Sequence, residues 1–194
     1  MESKKRKTYR SFTRSEKAII RAYVELMQTN TGRITVTDIV DKADLNRSTF
    51  YAHFKTADDV RERIHSDVIT SLEGIMSEGD YRNSISDPLP ALRRVLDIIR
   101  SDEEMYKMLL RTEGAANFLK DIENTVIEKY MTDEVILPHI KGREEFEMYL
   151  RLVIGGFISV LQDWAADNIK LALERVIEII SFSIQKSAEI YLAR

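Results

Sequence analysis

The chain has 194 residues, 44% of them hydrophobic and 31% charged, with seven Gly, three Pro and no Cys. That is enough apolar material for a real core, and it excludes fibrous, disordered and disulfide-framework proteins as well as thiolate metal sites and cysteine nucleophiles. The net charge of −3 is unevenly divided: residues 1–55 hold twelve Lys or Arg against six Asp or Glu, a net +6, so the remainder carries −9. A cationic end on an anionic body suits a protein that offers one end to a polyanion. A solvated surface with an uneven charge split has the same composition.

In chain order, the basic run Lys4 to Lys7 reads as part of a flexible tail over residues 1–12, either an arm for a DNA minor groove or a solubilising terminus. No apolar leader or membrane-length apolar run follows, so no membrane association and a cytoplasmic location are expected. Thr13 with Glu16 forms a capping-box pattern, and Ile19, Ile20, Tyr23, Leu26 and Met27 recur at helical spacing behind it. Asn30 and Gly32 end that helix. Thr35 then caps a short second helix with Asp38 at its third position and Val36, Ile39, Val40 and Ala43 on one face.

Asn46 is a natural cap for a third helix, RSTFYAHF, whose Phe50 and Phe54 stand at i and i+4. Short polar residues at the start of such a helix can reach base edges in a major groove. Arg47 can fork onto guanine, Asn46 onto adenine if it is not spent on capping, and Thr49 can meet a thymine methyl or a phosphate. Tyr51, His53 and Lys55 follow with groups that donate to phosphate oxygens.

A fourth, connecting helix spans residues 57–78 with Asp58 and Asp59 in its first turn, where the helix dipole favours acids. The stretch from Gly79 to Pro90 reads as a loop, and Pro88 and Pro90 suit the opening of the next helix. From there to residue 194 the pattern is helical throughout, with no strand pattern. The fold class expected is therefore all-α: a three-helix domain over residues 13–56 suited to DNA and a helical bundle over residues 79–194.

The run ITVTDIVDKADLNRSTFYAHF, with Phe50, Tyr51, Ala52, His53 and Phe54 at its end, resembles the helix-turn-helix signature of the TetR family of transcriptional regulators. The match covers roughly residues 13–65. The resemblance implies a homodimer that reads two half-sites of a palindromic double-stranded operator and, as a repressor, releases it on binding a small-molecule effector. By matching positions it implies that Tyr51 and His53 touch phosphates, that Thr35 and Thr37 meet backbone or a base, and that Arg47, Ser48 and Thr49 face the bases. Asp44 stands where members usually have Gly in the turn, and Ala57 where they tend to have Lys, which leaves Lys55 or the basic tail to supply that phosphate contact. Asp tolerates the left-handed conformation such a turn needs better than most residues.

Further on, Met105, Met108, Leu109, Phe118, Ile122, Tyr130, Met148 and Tyr149 recur at helical spacing and are candidates for an effector pocket, although such stripes are more often plain core. Gly155 and Gly156 inside an apolar helix point to close helix approach. With Val160, Trp164 and Ile177 they are the candidate dimer interface, a contact within one subunit being the alternative. His65 and His139 lack a second ligand at metal spacing, and Glu144, Glu145 and Glu147 lack partners for catalysis. No metal, cofactor or enzymatic activity is expected. A regulator or adaptor controlled by a partner protein is the second reading.

Overall fold

A computed structural model describes residues 2–29, 32–77, 83, 85–111, 116–134 and 142–192. The described residues form α1 (Glu2–Thr29), α2 (Val36–Ala43), α3 (Arg47–Tyr51), α4 (Ala57–Ser77), α5 (Leu89–Ser101), α6 (Glu103–Arg111), α7 (Ala116–Thr132), α8 (Arg143–Ala165) and α9 (Leu173–Leu192). No strand occurs among them, in keeping with the all-α expectation. The chain divides into two compact units, a head ending at Asp67 and a body beginning at Val68, so the division falls inside α4.

In the head, α1 packs on α2 and α3. Its apolar stripe places Ile19, Tyr23 and Val24 in the interior with Ile39 and Val40 of α2 and Phe50 and Phe54 from the third-helix region. Helix α1 begins at Glu2, not at the Thr13 cap. Residues 2–12, read from sequence as a flexible tail, hold neither Gly nor Pro and are rich in Lys and Arg, so nothing in them stops a helix. Helix α2 is capped as its sequence dictates: Thr35 accepts from the Asp38 N–H at 3.3 Å, and the Asp38 carboxylate accepts from the Thr35 N–H at 2.8 Å. It ends at Asp44, which adopts a left-handed conformation (φ 51°, ψ 51°) in the turn where glycine was expected.

In the body, Phe146, Tyr149 and Leu150 of α8 form the centre of a core with Ile127 and Met131 of α7, Met76 of α4 and Ala188 of α9. Pro88 and Pro90 open α5. Helix α6 is tied to the end of α8 by the Lys107 ammonium, 4.5 Å above the Trp164 ring, and by Arg111, which donates to the Ala165 carbonyl. Of the sequence features singled out above, Asn30, Gly79 and His139 lie outside the described residues.

Candidate functional sites

Helix α3 is five residues long and is held by what precedes and follows it. The Asn46 carbonyl accepts from the Thr49 and Phe50 N–H groups, whereas its side chain makes no cap hydrogen bond, so the amide is left to the exterior. Arg47 is exposed, and its Nη2 donates to Thr37 Oγ1 at 2.7 Å, which joins the outer ends of α2 and α3 and fixes the guanidinium. Ser48 is exposed, Thr49 half-buried, and Tyr51 is 55% exposed with its ring edge-on to the buried Phe50. Thr35 is exposed but its hydroxyl is spent on Asp38 at 2.7 Å, so it shapes the surface through the cap. Lys55 is exposed at the corner into α4.

His53 departs from the sequence expectation of a phosphate contact. It is half-buried, with its ring centroid 3.9 Å from that of Phe12 and its Nε2 2.8 Å from Ser15 Oγ. Ser15 donates its own proton to the Phe12 carbonyl at 2.9 Å, so the Nε2–H of His53 is the donor to Ser15. The other nitrogen, Nδ1, is buried without a hydrogen bond. In this arrangement the imidazole anchors α3 to α1 across 38 residues of sequence and does not reach outward.

The corner between α3 and α4 is a second reciprocal cap. The Asp59 carboxylate accepts from the Lys55 N–H at 2.8 Å and the Thr56 N–H at 3.0 Å, and Thr56 Oγ1 accepts from the Asp59 N–H at 3.1 Å. The Lys55 N–H foremost, then the Thr56 hydroxyl and N–H, hold the Asp59 carboxyl below the usual carboxylate range. A depressed folded-state value means a contribution to stability that is complete above the unfolded-state value near ~3.9 and is lost as pH falls through the folded one. Asp59→Asn is therefore expected to flatten the acid limb of a melting-temperature profile recorded from neutrality to pH 2. Equal acid slopes for the two proteins would contradict this role.

The body holds a partly open cavity of about 240 Å³ lined from α4 (Val68, Leu72), α5, α6, α7, α8 and α9. Leu109, Phe118, Ile122, Tyr130 and Tyr149, five of the eight residues predicted from sequence, are in its wall. Met105, Met108 and Met148 are not. Met148 is 61% exposed, because α8 is apolar on more than one face and spacing alone does not select the one that closes on the cavity. Sequence reasoning missed the α4 and α5 walls, such as Leu72 and Val95, which read as ordinary helix stripes.

The expected dimer residues are also divided. Trp164 and Ile177 are buried within the body, and a Cβ added at Gly155 would lie 3.8 Å from the Glu123 carboxylate. Gly156 is exposed, with no neighbouring heavy atom within 4 Å of an added Cβ, and Val160 is half-buried. The apolar groups that do face outward are Met148 and Leu152 (73% exposed), in line with Gly156 at four-residue steps on α8, and Ile179 and Phe182 (62% exposed) on α9.

Among the described residues no cluster of three or more His, Asp or Glu is placed to hold a metal, and no helix is long and apolar enough to cross a membrane.

Residues 86–186, just over half of the chain, match a TetR family model described as a transcriptional regulator C-terminal region. No curated protein matches the chain. Among solved structures, that of the dihydroxyacetone kinase operon activator DhaS is similar over 92% of this chain and 98% of its own, at 18% identity and a TM-score of 0.54, a likeness of fold. With the family match spanning most of the body, the chain belongs to the TetR family of transcriptional regulators.

Proposed function

We propose that the chain binds a palindromic DNA operator as a homodimer and lets go of it, as a repressor does, when a small molecule occupies the cavity of the body. The observation that carries this reading is the exposed set of polar side chains along α3: the Asn46 amide and Arg47, steadied by Thr37, at its start and Tyr51 at its end. A guanidinium and an amide are the side chains that read guanine and adenine edges, and a tyrosine hydroxyl suits a phosphate. Two copies are needed to read two half-sites, and the outward apolar residues Leu152 and Phe182 supply a surface that a second copy would cover. Helix α4 begins directly after the DNA-reading segment and ends in the cavity wall. An occupant with different affinities for two placements of α4 biases the head by that difference and no more. The concave, apolar lining of the cavity favours a small molecule over a partner protein as the controlling agent. The name of DhaS makes it an activator, and an occupant that strengthened operator binding would give this chain that sign instead.

The test is selection from a pool of random duplexes at two salt concentrations, followed by sequencing. A palindrome with a steep salt slope is the expected product. Leu152→Glu with Phe182→Glu is expected to give a monomer by light scattering and to lose the palindrome, keeping only weak half-site binding. Sequence-blind binding by the unaltered chain would overturn the proposal.

A further inference from the structure

The wall of the cavity has a composition that restricts what can enter it. Among the described residues, Val, Leu, Ile, Ala, Pro, Phe and Met make up the lining together with three tyrosines, and no Asp, Glu, Lys, Arg, His, Asn, Gln, Ser or Thr contributes to it. An ion taken from water into such surroundings loses its hydration and finds no counter-charge in return. The buried carboxylate of the body, Glu123, is engaged by the Lys120 ammonium at 2.8 Å and lies beside Gly155, outside the wall. The Tyr149 hydroxyl is already used: it donates to the Ile184 carbonyl at 3.3 Å and accepts from Ser187 Oγ at 3.4 Å.

The shape adds a second restriction. On α7 the wall runs from Phe118 to Tyr130 and on α8 from Tyr149 to Leu161. Each pair is twelve residues apart, roughly 18 Å along a helix axis. A wall of that reach leaves room for an extended alkyl chain.

We infer that the cavity takes an uncharged alkyl-chain molecule, such as a medium-chain alcohol, and rejects the same chain bearing a fixed charge. This rests on the reading of the cavity as a binding site for the controlling small molecule. The neutral dye N-phenyl-1-naphthylamine, bound to the full chain, is displaced by 1-decanol, decanoate, decyltrimethylammonium and the compact neutral 1-adamantanol at pH 8. Decanol is expected to compete best, the two ions at least about 100-fold less well, and adamantanol at least about tenfold less well.

Val153→Lys places a cation in the wall and is expected to turn the preference towards decanoate; Ile158→Trp fills the space and is expected to abolish competition by decanol. Should either variant fail to fold, the comparison on the unaltered chain still decides. Decanoate or the ammonium salt within tenfold of decanol overturns the inference, as does failure of decanol to compete at all. Operator affinity is read in the same samples by fluorescence anisotropy. Decanol that binds without changing operator affinity upholds the cavity's chemistry and overturns its role in control, whereas loss of operator binding by the unaltered, empty chain overturns the DNA-binding reading alone.

Discussion

Arg47→Ala combined with Tyr51→Ala is expected to remove specific operator binding while leaving helix content and oligomeric state unchanged. Both side chains are exposed, and their contact with the interior of the head is the Tyr51 ring, edge-on to Phe50. A bidentate arginine contact to a base is worth about 1–3 kcal/mol of discrimination, and loss of a phosphate hydrogen bond costs about 1 kcal/mol more. In a dimer each loss is incurred twice, so affinity is expected to fall by roughly three orders of magnitude or more. Fluorescence anisotropy on the selected operator measures it, with circular dichroism and light scattering as controls. Thr37→Ala separates the parts: it leaves the guanidinium in place but unsteadied and is expected to cost about thirtyfold, the weight of one exchanged hydrogen bond of about 1 kcal/mol in each of two protomers. Operator binding that survives the double change would move the reading surface away from α3.

Phe50→Ala is expected to produce the largest loss of stability in the head, about 3–5 kcal/mol. Its ring is fully buried and meets Tyr51 edge-on at 5.6 Å and Phe54 at 5.9 Å, so truncation opens a hole beneath α3, the proposed DNA-reading helix. A domain of this size has little stability to spare. Phe50→Leu preserves most of the volume and is expected to cost under about 1.5 kcal/mol. The chain has a single tryptophan, Trp164, buried in the body, so its fluorescence during urea unfolding reports the body. The expected signature is an early circular-dichroism transition in Phe50→Ala that Trp164 fluorescence does not follow. Coincident transitions at the unaltered midpoint would show that the Phe50 ring is not needed to hold the head.

The head was legible in the sequence where its determinants are local. The Thr35–Asp38 cap, the left-handed Asp44 and the Phe50–Phe54 pair each act within a few residues, and each carries a residue type chosen for the job. What escaped the sequence is what depends on distant partners. His53 belongs to a run that reads as a phosphate contact, yet Ser15 and Phe12 hold it from 38 and 41 positions away. The start of α1 was missed for the opposite reason: Thr13 and Glu16 look like a beginning, but residues before them contain nothing to interrupt a helix. In the body, periodicity found the stripes without telling which stripe meets which. Helix α8 carries Tyr149 towards the cavity, Trp164 into the core and Leu152 to the outside within a few turns of one another.

The cavity bears on more than recognition. A molecule that binds in it adds apolar contacts to the helices of the wall and stabilises the chain by mass action. An occupied chain then opens less often to proteases than an empty one, so its lifetime lengthens with the supply of the occupant. On the proposed reading, the number of regulator molecules in a cell would follow that supply along with their grip on DNA, and the two responses would run on different clocks: release within one binding event, abundance over the time it takes to degrade and resynthesise the protein.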